Sequence, residues 1–135
     1  MTGIIIVTHD NFGKSLAFAC ENIIGKQDNV WCLDSSKDNV EEEIKKIMNE
    51  NKLFNGFIIF VDIFGGTPCN VALKFAKIKN IEIICGINLP MLISSFSHRK
   101  SGVSIKELTG NILNDGKKGI LSAKEKFLQR LKATK

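Results

Sequence analysis

The sequence predicts an α/β fold built on a doubly wound, mainly parallel sheet flanked by helices. Three observations lead there. Short, strongly apolar runs recur at residues 4–7, 57–61 and 81–87; they are too brief for helices and suit strands covered on both faces. Segments with apolar residues three and four apart alternate with these runs, as expected of helices crossing between parallel strands. Polar residues and glycines stand where runs end, Thr8-His9-Asp10 after the first and Asp62, then Gly65-Gly66-Thr67-Pro68, after the run at 57–61. Ligands gather beyond such strand ends in open parallel sheets.

In order, Ile4-Ile5-Ile6-Val7 is the first strand. A helix over 12–24 follows, with Phe12, Leu16, Ala19, Cys20, Ile23 and Ile24 near helical spacing and Gly25 as its stop. Val30-Trp31-Cys32-Leu33 reads as a short second strand. Asp38 or Asn39 can cap a helix running to about Glu50, with Glu41 and Lys45, and Glu42 and Lys46, spaced for i,i+4 pairing. Gly56 opens the most apolar strand, Phe57-Ile58-Ile59-Phe60-Val61, which ends at Asp62.

The Gly65-Gly66-Thr67-Pro68 turn leads into a helix from Cys69 to about Lys77, with Thr67 as N-cap and Pro68 at the first helical position. A strand over 81–87 comes next. Asn88-Leu89-Pro90 turns the chain, and helical patterns occupy the remainder, punctuated by Gly102, Gly110, Gly116 and Gly119. With no repeat, low-complexity linker or boundary, residues 1–135 read as a single domain.

Composition narrows the function classes. A chain of 135 residues, 44% hydrophobic and 24% charged, has enough core to fold without staples. Cys20, Cys32, Cys69 and Cys85 contain no C-x-x-C pair, so reduced, mostly buried thiols are expected and no metal site is signalled. The N-terminus does not resemble a signal peptide and no apolar run approaches membrane-spanning length, which predicts a cytoplasmic protein. The net charge of +5 comes from lysines spread along the chain and thickened near its end, where a solvated helix accounts for them. No aromatic-interleaved basic motif accompanies them, so nucleic acid is not an expected partner.

Two readings compete for the first strand end. Residues 8–15, Thr-His-Asp-Asn-Phe-Gly-Lys-Ser, differ from the phosphate-binding pattern G-x-x-x-x-G-K-[ST] only at the first position, and the run ending at Asp62 imitates the strand and acidic residue of a nucleotide enzyme. Thr8 is β-branched, however, and replaces a glycine poorly where positive φ is required. That reading also leaves the Gly-Gly-Thr-Pro turn unexplained.

The other reading joins His9 to Asp62 in one crevice. A carboxylate bonded to one ring nitrogen fixes the tautomer and leaves the other nitrogen's lone pair free to attack. Gly65, Gly66 and Thr67 then supply backbone N–H groups and a hydroxyl for a phosphoryl group. Each part alone has a plain structural explanation; their joint placement points to phosphoryl acceptance and donation at histidine.

On three segments the sequence resembles the mannose-type enzyme IIA proteins of the bacterial phosphoenolpyruvate-dependent sugar phosphotransferase system. They are Ile4-Ile5-Ile6-Val7-Thr8-His9, Phe60-Val61-Asp62-Ile63-Phe64-Gly65-Gly66-Thr67-Pro68-Cys69-Asn70, the most specific, and Gly86-Ile87-Asn88-Leu89-Pro90-Met91-Leu92. The resemblance implies that His9 is phosphorylated by the phosphocarrier protein HPr, with Asp62 as its orienting partner. The phosphoryl group then passes to a mannose-type enzyme IIB, a protein-to-protein relay that needs no metal or organic cofactor and meets the membrane only through the permease complex. It further implies that Gly65, Gly66 and Thr67 hold the transferring group, that Asn88, Leu89 and Pro90 wall the crevice, and that the chain forms a homodimer. His98 and Arg99 are candidate partner-facing charges, and Met91, Leu92 and Phe96 serve either a dimer contact or the core. Asp10 departs from the glycine that usually follows the active histidine. A stand-alone regulatory protein, controlled by His9 phosphorylation, is the alternative to a transport component.

Overall fold

The computed structural model describes residues 1–37, 39–100 and 102–134. Its order is β1 (Thr2–Thr8), α1 (Phe12–Ile24), β2 (Val30–Asp34), α2 (Val40–Glu50), β3 (Gly56–Val61), α3 (Thr67–Leu73), β4 (Ile81–Ile84), α4 (Leu89–His98), α5 (Ile105–Lys118) and α6 (Ala123–Ala133). The four strands are parallel and lie in the order β2-β1-β3-β4. The α/β expectation is therefore met.

Strand pleating explains why the central runs are apolar throughout. Alternate side chains point to opposite faces, and both faces are covered. Ile4, Ile6, Ile58 and Phe60 pack on one side with Ala17 and Cys20 of α1, Met91, Leu92 and Phe96 of α4, and Leu108 and Ile112 of α5. Ile5, Val7, Ile59 and Val61 pack on the other with Val40, Ile44 and Ile47 of α2 and Cys69 and Ala72 of α3. Met91, Leu92 and Phe96 thus belong to the core.

Several boundaries differ from the sequence reading, each for a local reason. Asp38 lies outside the described residues; Asn39 precedes α2 in a left-handed conformation, φ 72, and its side chain makes no capping bond. Glu41 pairs with Lys74 beyond α3, at 3.4 Å, in place of Lys45. Helix α3 begins at Thr67, with Gly66 as its N-cap, and gives way to turns after Leu73. Strand β4 stops at Ile84, ahead of a bend at Gly86. Gly110 and Gly116 sit inside α5 and do not end it; a Cβ on Gly116 would come within 2.6 Å of Met91 Cγ, so the small residue lets α5 lie close against α4.

The strand order places the functional crevice. From β1 the chain moves outward to β2, and from β3 to β4 on the opposite side, so the crossovers diverge at the β1/β3 junction. Val7 is in register with Val61. His9 and Asp62 therefore leave adjacent strands at nearly the same height.

Candidate functional site

The loop from β1 to α1 is short and internally tied. The Thr8 hydroxyl accepts the Gly13 N–H at 2.8 Å, the Ser35 N–H reaches the Thr8 carbonyl at 2.9 Å, and the Phe12 N–H reaches the His9 carbonyl at 3.4 Å. These bonds hold both ends of residues 9–11 and raise His9 above the sheet. Lys14 is exposed on the first turn of α1, and the Gly13 N–H, which a phosphate cradle would turn toward its ligand, is already spent on the Thr8 hydroxyl. That committed N–H counts against the nucleotide reading.

Asp62 engages His9 twice through one oxygen. Its Oδ2 lies 2.7 Å from His9 Nδ1 and accepts the His9 backbone N–H at 3.0 Å, while Oδ1 accepts the Ile63 N–H at 3.0 Å. The carboxylate side chain is only 13% exposed, whereas the imidazole is 56% exposed. Partial burial works to raise the Asp62 carboxyl, but the hydrogen bonds and charge of His9 outweigh it and hold the group below the ordinary carboxylate value. An ionised Asp62 is an acceptor only, so Nδ1 carries the ring proton and Nε2 keeps its lone pair.

Gly65 and Gly66 shape the opposite wall. Gly65 has φ +92, a left-handed conformation that side chains strain. A Cβ on Gly66 would stand 3.1 Å from His9 Cε1 and 3.6 Å from Nε2, so this backbone lies directly against the edge of the ring that carries the free lone pair. Thr67 is exposed at the start of α3. Five of the predicted residues, His9, Asp62, Gly65, Gly66 and Thr67, therefore share one crest.

Asn88, Leu89 and Pro90 reach the same edge of the sheet, because the Ile87 N–H bonds to the carbonyl of Val61 at the end of β3, at 3.2 Å. The Asn88 side chain is committed to structure: Oδ1 accepts the Met91 N–H at 2.9 Å and Nδ2 donates to the Gly116 carbonyl at 3.2 Å. Leu89 and Pro90 open α4 and are partly buried.

Arg99 is not in the crevice. It is 4% exposed, and its guanidinium donates to the carbonyls of Thr2, Asn29 and Asp28 at the opposite end of the sheet, with the Phe96 ring 4.9 Å below it. Those carbonyls gather where β1 and β2 begin, and the planar fork satisfies them together. His98 remains exposed, with Nδ1 2.9 Å from the Ser94 carbonyl.

Two residues of the crest escaped notice in sequence except as parts of a motif. Ile63 and Phe64, directly after Asp62, are 60% and 76% exposed. Phe12, across the β1 loop, is also exposed. An apolar residue after a buried strand looks like a continuation of the core, so the sequence carried no sign of their exposure. Among the described residues no group of three or more His, Cys, Asp or Glu is placed to hold a metal, and no helix is long and apolar enough to cross a membrane.

Comparison with known proteins bears on the family and the fold. The family model described as PTS system fructose IIA component matches residues 3–113. The PTS system mannose-specific EIIAB component of Escherichia coli is 30% identical over 132 residues, covering 94% of this chain and 41% of that protein. The chain thus spans about two fifths of that relative's length. The PTS system fructose-specific EIIA component of Bacillus subtilis is 28% identical over 121 residues, covering 83% of this chain and 80% of that protein. Among solved structures, the PTS IIA protein associated with the fucose utilization operon from Streptococcus pneumoniae superposes with a TM-score of 0.76 at 26% identity, covering 93% of this chain and 96% of the other. The strand order, the His9–Asp62 crest and the match over residues 3–113 lead to one conclusion: the chain belongs to the mannose-type enzyme IIA family of the phosphotransferase system.

Proposed function

We propose that the chain is a phosphohistidine carrier in sugar uptake, accepting a phosphoryl group from HPr on His9 and passing it to a mannose-type enzyme IIB. The observation that carries this reading is the 2.7 Å contact between His9 Nδ1 and Asp62 on an imidazole that is otherwise open to solvent. Nε2 is the nucleophile. It attacks the phosphorus of the donor phosphohistidine in line, the donor's N–P bond breaks as the new one forms, and the ring proton stays on Nδ1, hydrogen-bonded to Asp62.

Asp62 orients the ring and balances the charge it gains when Nε2 bonds to phosphorus. Backbone N–H groups at Gly65 and Gly66, with the Thr67 hydroxyl, receive the phosphoryl oxygens, and Asn88, Leu89 and Pro90 wall the crevice. Both donor and acceptor are proteins, which suits a nucleophile standing at the surface between exposed Phe12, Ile63 and Phe64. No cofactor takes part. The relay is cytoplasmic, with the membrane reached through the permease.

The same reading takes residues 1–135 as one IIA unit that pairs with a second copy. Supporting the pairing, α6 buries none of its residues, and Phe127, Leu128 and Leu131 give it an exposed apolar side.

The test is a two-stage relay. HPr is charged with phosphoenolpyruvate and enzyme I, enzyme I and magnesium are removed, and the phosphoryl group is followed in EDTA. Transfer from HPr to the chain and onward to a IIB partner is the expected outcome. A chain that accepts no phosphoryl group from charged HPr contradicts the reading.

A further inference from the structure

We propose that Cys69 and Cys85 form a reversible disulfide that reshapes the phosphoryl site, so that oxidation by a hydroperoxide slows transfer through His9; the transfer part of this proposal rests on the phosphocarrier reading. The two sulfurs lie 3.8 Å apart although their residues are 16 positions apart in sequence. All four cysteines are free. Only this pair joins two parts of the crest. Cys69 is in the first turn of α3, two residues after Thr67, and Cys85 follows β4, three residues before Asn88.

The accessible member is Cys85, since Cys69 is completely buried and Cys85 only partly so. Burial, then the neighbouring Cys69 thiol, push the Cys85 thiol up to about 11. At neutral pH the Cys85 thiol is thus protonated and slow to react, which suits an element that responds to sustained peroxide rather than one that cycles with each turnover.

In the first step Cys85 sulfur attacks the distal oxygen of the hydroperoxide. An S–O bond forms, the O–O bond breaks, and an alcohol (water, for hydrogen peroxide) departs with the thiol proton, leaving a sulfenic acid. In the second, Cys69 sulfur attacks Cys85 sulfur, the S–S bond forms, the S–O bond breaks, and the hydroxyl leaves with the Cys69 proton as water. Two thiols lose two electrons and the peroxide gains them. A dithiol reductant reverses the change.

A disulfide needs its sulfurs about 2.05 Å apart, so closing from 3.8 Å draws the start of α3 and the segment after β4 toward each other. Gly66 packs against the edge of the His9 ring and lies three residues before Cys69. Movement at the start of α3 therefore reaches the reacting nitrogen. A displacement of about 1 Å at such a centre is enough to cost up to about 10²-fold in rate.

The experiment compares the full chain reduced, treated with hydrogen peroxide, and re-reduced with dithiothreitol. Peptide mapping of the oxidised chain should show a 69–85 cross-link with the loss of two hydrogens. The His9 ring proton resonances should shift, and uptake from phospho-HPr should slow by at least about tenfold, with both changes reversed by the reductant. Cys85→Ser should retain the uptake of the reduced chain and lose the response to peroxide. The proposal is overturned if peroxide consumes the thiols without a 69–85 link, or if the linked chain keeps unchanged His9 resonances and uptake. Should the reduced chain accept no phosphoryl group at all, the phosphocarrier reading fails, while the cross-link and the resonances still decide whether the disulfide forms and reaches His9.

Discussion

At the scale of single residues, the proposed chemistry rests on one carboxylate oxygen that grips both the backbone and the ring of His9. Asp62→Asn keeps the size and offers an amide in place of the acceptor, which favours the wrong tautomer. The fold should persist while transfer from phospho-HPr slows by about 10²-fold or more; unchanged kinetics would remove Asp62 from its orienting role. The pH dependence has a definite sign. Because the folded carboxyl lies below its ordinary value, its contribution to stability is complete above that value and is lost as pH falls through the depressed folded one. Acid unfolding curves of the wild type should carry this component and those of Asp62→Asn should lack it. Asp10 adopts φ 47, a conformation glycine accepts freely and Asp or Asn tolerates, which fits its replacement of the usual glycine. If this exposed carboxylate faces the proposed phosphoryl site, like-charge repulsion disfavours phospho-His9. Asp10→Asn and Asp10→Gly should each move the equilibrium with phospho-HPr toward the phosphorylated chain by at most about tenfold, roughly 1.4 kcal/mol, as read from the charged fraction at equilibrium.

At the scale of elements, the strands were legible because β-branched runs buried on both faces leave little alternative, and β1 and β3 emerge as expected. Helix ends were less so. Thr67 looks like an N-cap by type, yet Gly66 occupies that position because its backbone must pass close to His9. Gly66→Ala tests this constraint: its φ of −87 suits alanine, so the fold should hold, but the added methyl presses on the ring. Transfer should slow by about tenfold or more while thermal stability changes little. Arg99 was misread for a different reason. A cation next to an exposed histidine looks like surface, whereas the carbonyls of Thr2, Asp28 and Asn29 meet only after the strands assemble. Arg99→Met should therefore destabilise the fold by about 1–3 kcal/mol in denaturant titration, by removing the guanidinium's hydrogen bonds to the carbonyls of Thr2, Asp28 and Asn29. It should leave HPr-dependent uptake of the folded fraction unchanged, unlike the loss expected of a docking residue.

At the scale of the whole molecule, the parallel sheet turns two distant polar residues into neighbours, because its crossovers diverge between β1 and β3. Alternation of strands and helices made this architecture readable, and the polar strand ends made the site readable with it. The exposure of Ile63 and Phe64 and the Cys69–Cys85 contact could not be read that way, since each depends on how loops settle after the sheet has formed. The proposed relay requires a phosphoryl group to land on His9. Incubation with phosphoenolpyruvate, enzyme I and HPr, followed by intact mass measurement and peptide mapping, should find one phosphoryl group per chain on His9, labile in acid and stable in alkali. One equivalent retained by His9→Ala, or a label mapped to His98, would contradict it.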